Sequence, residues 1–252
     1  MEHVLEFRSR SFVWFLVSLF NPLLMLLFWR GALQSNNVGI TLPAVTSYYF
    51  LLTVAGALLT SHVEEGVANI DIQEGKLSQY LIRPFSFFWL KFFEEFPYRF
   101  IQGLYAIAVC AIFFALFGKF MTISRDPFVI ALCLCMFATA FILSHLYKMC
   151  LAFIAFWTTD TNGVFQLMEI VLIIMAGYLM PFELMPAGIA GIAQMLPFSY
   201  MVYFPVTALQ GKYDLGQMFN ILGIQLVWIG LFYLLYRWMW NEGLKRFTAV
   251  GQ

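Results

Sequence analysis

Charge is scarce in this 252-residue chain. Only 11% of residues are charged, where an ordinary soluble domain carries roughly 25%. Lys+Arg and Asp+Glu each number 14, so the basic excess of a nucleic-acid binder is missing. Cysteine is limited to Cys110, Cys133, Cys135 and Cys150, all inside apolar runs. That placement suits packing rather than a disulfide framework, and Cys133-x-Cys135 lacks the two-residue gap of zinc and thioredoxin motifs. A phosphate-cradling loop is absent too. The pairs Gly75-Lys76, Gly118-Lys119 and Gly211-Lys212 are followed by Leu77, Phe120 and Tyr213, and the earlier glycine position holds Ile70, Phe113 and Val206. No His-Glu-x-x-His, Gly-x-Ser-x-Gly or clustered ligand set occurs. The chain therefore reads as non-enzymatic, with no cofactor and no metal of its own. If ATP drives its work, another polypeptide hydrolyses it.

What is abundant is apolar surface: 62% of residues are hydrophobic and 19% aromatic. A soluble fold cannot hide that excess, and a polytopic membrane protein follows. A bilayer core about 30 Å thick takes roughly 20 apolar residues of helix. Six runs qualify: 12–33, 44–62, 100–118, 127–157, 164–181 and 218–240. The sequence thus predicts an all-α membrane protein forming a single transmembrane domain, 1–252. The first run starts late and follows Glu2, His3 and Glu6, so it reads as a retained span rather than a cleaved signal. The fourth, at 31 residues, is longer than a bilayer needs and must tilt, break or project. With both termini on one side, that side holds Arg8, Arg10, Lys76, Arg83, Lys91, Arg99, Arg237, Lys245 and Arg246. The other holds Arg30, Lys119, Arg125 and Lys212. The bias places both termini in the cytoplasm.

Segment 64–98 then becomes the large cytoplasmic loop. Val63, Val67 and Ile70, and then Leu77 and Leu81, recur at helical spacing. They predict two short amphipathic helices joined near Gln73–Gly75, the second ended by Arg83-Pro84. The aromatic stretch Phe85–Phe93 suits a helix lying in the interface. The loop reads either as a solvated connector or as a docking helix for a cytoplasmic ATPase. On the other side, 182–217 is too apolar for a water-exposed loop, and Pro181, Pro186, Pro197 and Pro205 divide it. A re-entrant helix pair, Ala187–Leu196 and Phe198–Leu209, satisfies its backbone.

Ionisable residues inside a bilayer are costly unless paired or hydrated. Lys148 lies twelve residues before the turn near 160 and Glu169 nine after it, an axial offset of roughly 5 Å in an antiparallel helix pair. The spacing predicts an ion pair locking the hairpin, with substrate contact as the competing role. His145, one turn from Lys148, is a weaker candidate for a proton relay.

Asp71-Ile72-Gln73-Glu74-Gly75-Lys76-Leu77, followed by Tyr80-Leu81-Ile82-Arg83-Pro84, resembles the "I-x-x-G-x-L … L-x-R-P" signature of ABC-2-type permeases. Gly177, Pro181-Phe182, Leu184-Met185-Pro186, Leu196-Pro197-Phe198, Tyr203-Phe204-Pro205 and Gly211 resemble that family's "G-x-x-x-P … P … L-P-F … Y-F-P … G" run. Gln73 and Ser78 depart from it, standing where acidic residues are expected. The resemblance implies the membrane subunit of an ATP-binding-cassette exporter in the bacterial inner membrane. It would work with two copies of a cytoplasmic ATPase that holds ATP and Mg, and with a second permease, identical or similar. It further implies an interfacial helix at 1–11 and a coupling element made by Asp71, Ile72, Glu74, Gly75, Lys76, Leu77, Leu81, Arg83 and Pro84. The external hairpin would act as a gate through Pro181, Pro186, Pro197 and Phe198; a stabilising cap is the plainer role. The cargo reads as amphipathic or hydrophobic. A secondary transporter or channel with no ATPase is the alternative, although it favours inverted repeats that this sequence does not display.

Overall fold

The computed structural model describes residues 24, 27, 28, 31, 41–59, 61–117 and 122–247. The expected interfacial helix at 1–11 lies outside them, as does nearly all of the first expected span. All regular structure among the described residues is helical. Helix α1 spans Leu42–Leu59. A short helix α2, Val63–Glu65, passes directly into a π-helical stretch, Gly66–Gln73. Helix α3 is Leu77–Leu81 and α4 is Phe87–Phe117. Helix α5, Pro127–Ala152, ends in a 3₁₀ turn, Phe153–Phe156. Helix α6 is Asn162–Met175. After a 3₁₀ turn at Phe182–Leu184 come α7 (Ala187–Met195), α8 (Pro197–Met201), α9 (Tyr203–Leu209) and α10 (Leu215–Leu244).

Local chemistry sets the starts of the long helices. Asp126 caps α5 by accepting from Phe128 N–H at 2.8 Å, with Pro127 in the first turn, where its missing N–H costs nothing. Asp214 and Gln217 form a reciprocal capping box at the head of α10. Helix α5 packs along α10 and α1 along α4. Glycine permits both close approaches. A Cβ on Gly103 would clash with Leu58, and one on Gly243 with Phe156.

Among the described residues, three stretches are long and apolar enough to cross a membrane: Leu42–Gln73, Pro127–Phe156 and Leu215–Leu244. The fourth expected span is helical throughout, as α-helix from Pro127 to Ala152 and as a 3₁₀ turn to Phe156. Elsewhere the elements differ from the sequence reading. The expected third span is the second half of α4, one continuous helix from Phe87. The stretch expected to lie in the interface is its first part. It does not lie apart, because Phe87 and Phe88 are buried against Trp240, Tyr236 and His145, with ring centroids 5.1–5.4 Å apart.

The expected fifth span, 164–181, is helical only to Met175. Gly177 then takes φ +83°, a left-handed conformation that ends the helix. The 14 residues of α6 rise about 21 Å, short of a bilayer core. The expected helix Phe198–Leu209 is two helices broken at Val202. Pro205 explains the break: it has no N–H to donate, and its ring would clash with the Met201 carbonyl in a continuous helix.

Candidate functional site

The chain between α1 and α4 is anchored from three sides. Glu64, on α2, faces Lys148 of α5, whose Nζ lies 2.5 Å from Glu64 Oε1 and 3.0 Å from Glu169 Oε2 of α6. One ammonium thus joins three elements. Lys148 and Glu64 are buried, whereas the Glu169 side chain keeps 40% of its surface. Glu64 Oε2 and Tyr147 Oη are enclosed with no hydrogen-bond partner. The second anchor is Asp71, buried on the π-helical stretch, with Lys91 of α4 at 2.8 Å. Lys91 also meets Glu94 at 3.1 Å and lies 4.8 Å from the Tyr80 ring centre. The third is Gln73, whose Nε2 donates to the Thr159 carbonyl at 2.8 Å in the turn between α5 and α6.

The π winding and one glycine shape this segment. Glu74 N–H reaches back five residues to the Asn69 carbonyl at 3.0 Å. Wide turns of this kind recur at functional sites. Gly75 then adopts φ +80°, which reverses the chain into α3.

The residues assigned to coupling by resemblance divide into two sets. Asp71, Ile72, Gly75 and Leu77 are buried within the chain. Glu74, Lys76, Leu81, Arg83 and Pro84 are exposed, and with Ile82 and Phe85 they form a ridge. Ile82 and Phe85 are 86% and 71% exposed. The first set holds the segment's shape; only the second can touch another protein.

A further polar knot sits at the foot of α1. Glu95 of α4 accepts from the His62 backbone N–H at 2.9 Å and from Arg99 Nε at 3.1 Å. It also accepts from Ser61 Oγ, and His145 Nδ1 lies 3.3 Å away. Burial alone would raise the Glu95 carboxyl. Hydrogen bonds from His145, Ser61 and the His62 N–H, with the Arg99 charge, outweigh it and lower its pKa to about 2. Sequence reasoning missed Glu64, Glu95 and Arg99. The available signals were Glu64-Glu65 directly after an apolar run, and Glu95/Arg99 at i, i+4 within an aromatic helix.

At the opposite end, Tyr48 Oη donates to the Gly177 carbonyl at 2.7 Å and Gln210 Nε2 to the Ala44 carbonyl at 3.0 Å. Phe182, next to buried Pro181, stacks on Tyr203 with centroids 3.9 Å apart. Pro186 is exposed, while Pro197 and Phe198 are buried. Helices α8 and α9 run along α5. Leu209 accepts from Ser124 N–H at 2.9 Å just before α5 begins. Gln225 Nε2 bridges the carbonyls of Met136 and Tyr200, at 3.2 and 2.8 Å, further along. The Phe198 ring meets Tyr147, 5.3 Å between centroids, beyond that. Tyr147 is twenty residues from Pro127, about 30 Å of helix.

Long apolar helices around buried ion pairs, with a short folded-back segment deep against α5, define a membrane-embedded helical protein. A family model described as ABC-2 family transporter protein matches residues 13–251, and the chain belongs to that family. Comparison with curated proteins and with solved structures gave no match.

Proposed function

We propose that this chain is the non-catalytic membrane subunit of an ATP-binding-cassette exporter, crossing the bacterial inner membrane six times with both termini in the cytoplasm. ATP and Mg belong to a cytoplasmic ATPase present in two copies, and a second permease, identical or similar, completes the complex. The Leu81–Phe85 ridge is the surface the ATPase grips. Asp71, Ile72, Gly75 and Leu77 transmit the movement from inside the lever. The cargo is amphipathic or hydrophobic.

One observation carries this reading: the segment bearing the exposed ridge is tied by charge and hydrogen bonds to α4, α5 and α6 at once. A push on the ridge would then reach these elements through the anchors that precede Gly75. The depth of α8 against α5 supports a re-entrant external hairpin. Pro197 and Phe198 would then close the path from inside, with Pro181 and the exposed Pro186 bounding its mouth.

The test is co-expression with the candidate ATP-binding subunits of the source cell, followed by affinity capture. Ile82→Glu should abolish capture of the ATPase while yield and melting of the permease stay unchanged. Retained capture would remove the ridge from the interface. A cysteine at Gln79 should react with a membrane-impermeant reagent only from the cytoplasmic side; labelling from outside would overturn the topology.

A further inference from the structure

Two adjoining cavities share Arg99 as a wall. The first, about 260 Å³, lies between α1, α4 and α5, and apart from Arg99 its lining is apolar, including Leu58, Phe96, Phe137 and Ala138. The second, about 330 Å³, has Lys91, Glu94, Glu95 and Arg99 with His62 and Tyr98 along one side and Val63, Gly66 and Val67 along the other. Both lie at the foot of α1, where the second expected span gives way to the polar segment. An apolar chamber beside one with charged groups along a single wall suits an amphipath. The charges narrow its class. Lys91 lies between Asp71 and Glu94, and Arg99 faces Glu95, so three carboxylates meet two cations and a purely anionic headgroup is disfavoured. Glu94 remains half-exposed even while touching Lys91, which leaves carboxylate surface for an ammonium group. The guanidinium and Lys91 offer donors for a phosphate.

We propose that the paired cavities bind one membrane phospholipid with a zwitterionic headgroup, part of one acyl chain in the apolar chamber, the headgroup beyond Arg99 and the rest of the lipid in the bilayer. Ala138 is exposed at the chamber's edge, so the tail enters sideways from the bilayer. The proposal rests on the membrane embedding of the chain and not on its ATPase partnership.

The experiment uses the full chain in vesicles of equal parts phosphatidylethanolamine and phosphatidylglycerol. Three probes carry a diazirine in the acyl tail: a phosphatidylethanolamine, a phosphatidylglycerol and a free fatty acid. Crosslinked peptides are mapped by mass spectrometry. The phosphatidylethanolamine probe should label peptides containing Phe96 and Phe137 in preference to the other two. Ala138→Trp fills the chamber and should cut that labelling about tenfold. Glu94→Lys, on an exposed side chain, makes the polar chamber positive and should turn the preference toward phosphatidylglycerol. Equal labelling by all three probes would show adsorption to a greasy surface and overturn the proposal. So would labelling unchanged by Glu94→Lys, or unchanged by Ala138→Trp in protein that still folds. None of these readouts requires nucleotide or a partner chain, so failure here leaves the exporter reading to its own test.

Discussion

Lys148 carries one positive charge between two carboxylates on different elements, and that inequality sets the expected order of damage. Lys148→Met leaves Glu64 buried without a counter-charge and should cost about 3–5 kcal/mol. Glu64→Gln removes the buried member of the pair and should cost less. Glu169→Gln, at a half-exposed carboxylate, should cost at most ~1 kcal/mol. The Lys148→Met/Glu64→Gln double variant should recover part of the single loss. Apparent melting in detergent checks the order, and a double variant worse than the sum of its parts would contradict it. Glu95 has a different signature. Its pKa falls from the ordinary 4.5 to about 2 in the folded chain, so its carboxylate stabilises the fold above pH 4.5. That contribution drains away as pH drops from 4.5 toward 2. Melting followed across this window should decline more steeply for the native chain than for Glu95→Gln. The Lys148–Glu169 contact was legible because a short turn fixes the register of both helices. Glu64 and Glu95 were not, because they reach α5 from far along the chain, where no spacing rule applies.

At the scale of elements, glycine and proline decide where helices stop. Gly75→Ala forces an L side chain into a left-handed conformation at a cost of ~1–2 kcal/mol and should misdirect α3. The expected outcome is a folded permease with weakened ATPase capture. Gly177→Ala should be worse. It adds the same strain and places a Cβ 2.5 Å from Tyr48 Oη, so lower membrane yield is expected than for Tyr48→Phe, which loses only the hydrogen bond. The long helices were legible from apolar run length, and the two-part loop from its spacing. The early end of α6 was not, because a glycine in an apolar run gives no warning of its sign of φ. The π winding was not legible either: the α spacing singled out Val67 and Ile70, whereas the wider turns bury Val67, Ala68, Asp71 and Ile72 and leave Ile70 exposed. The break at Val202 could have been read from Pro205, had the lost Met201 bond been weighed.

For the whole molecule, the division between anchored and exposed residues predicts two kinds of failure. Leu77 is fully buried, so Leu77→Glu should prevent folding, seen as loss of the monodisperse peak in size-exclusion chromatography. Ile82→Glu should leave that peak intact and remove only the partner. Matching behaviour of the two variants would mean that the ridge packs within this chain. The outward faces of α10, with Leu226, Val227, Leu231 and Leu234 at 51–65% exposure, suit contact with acyl chains or a second permease. Between these surfaces, residues 66–73 are wound more widely than the helices on either side. Tightening those turns to ordinary pitch would spin Leu77–Leu81 about the axis while the chain stays unbroken. In the coupling role proposed above, a thrust along those turns would be delivered as rotation rather than as a hinge movement.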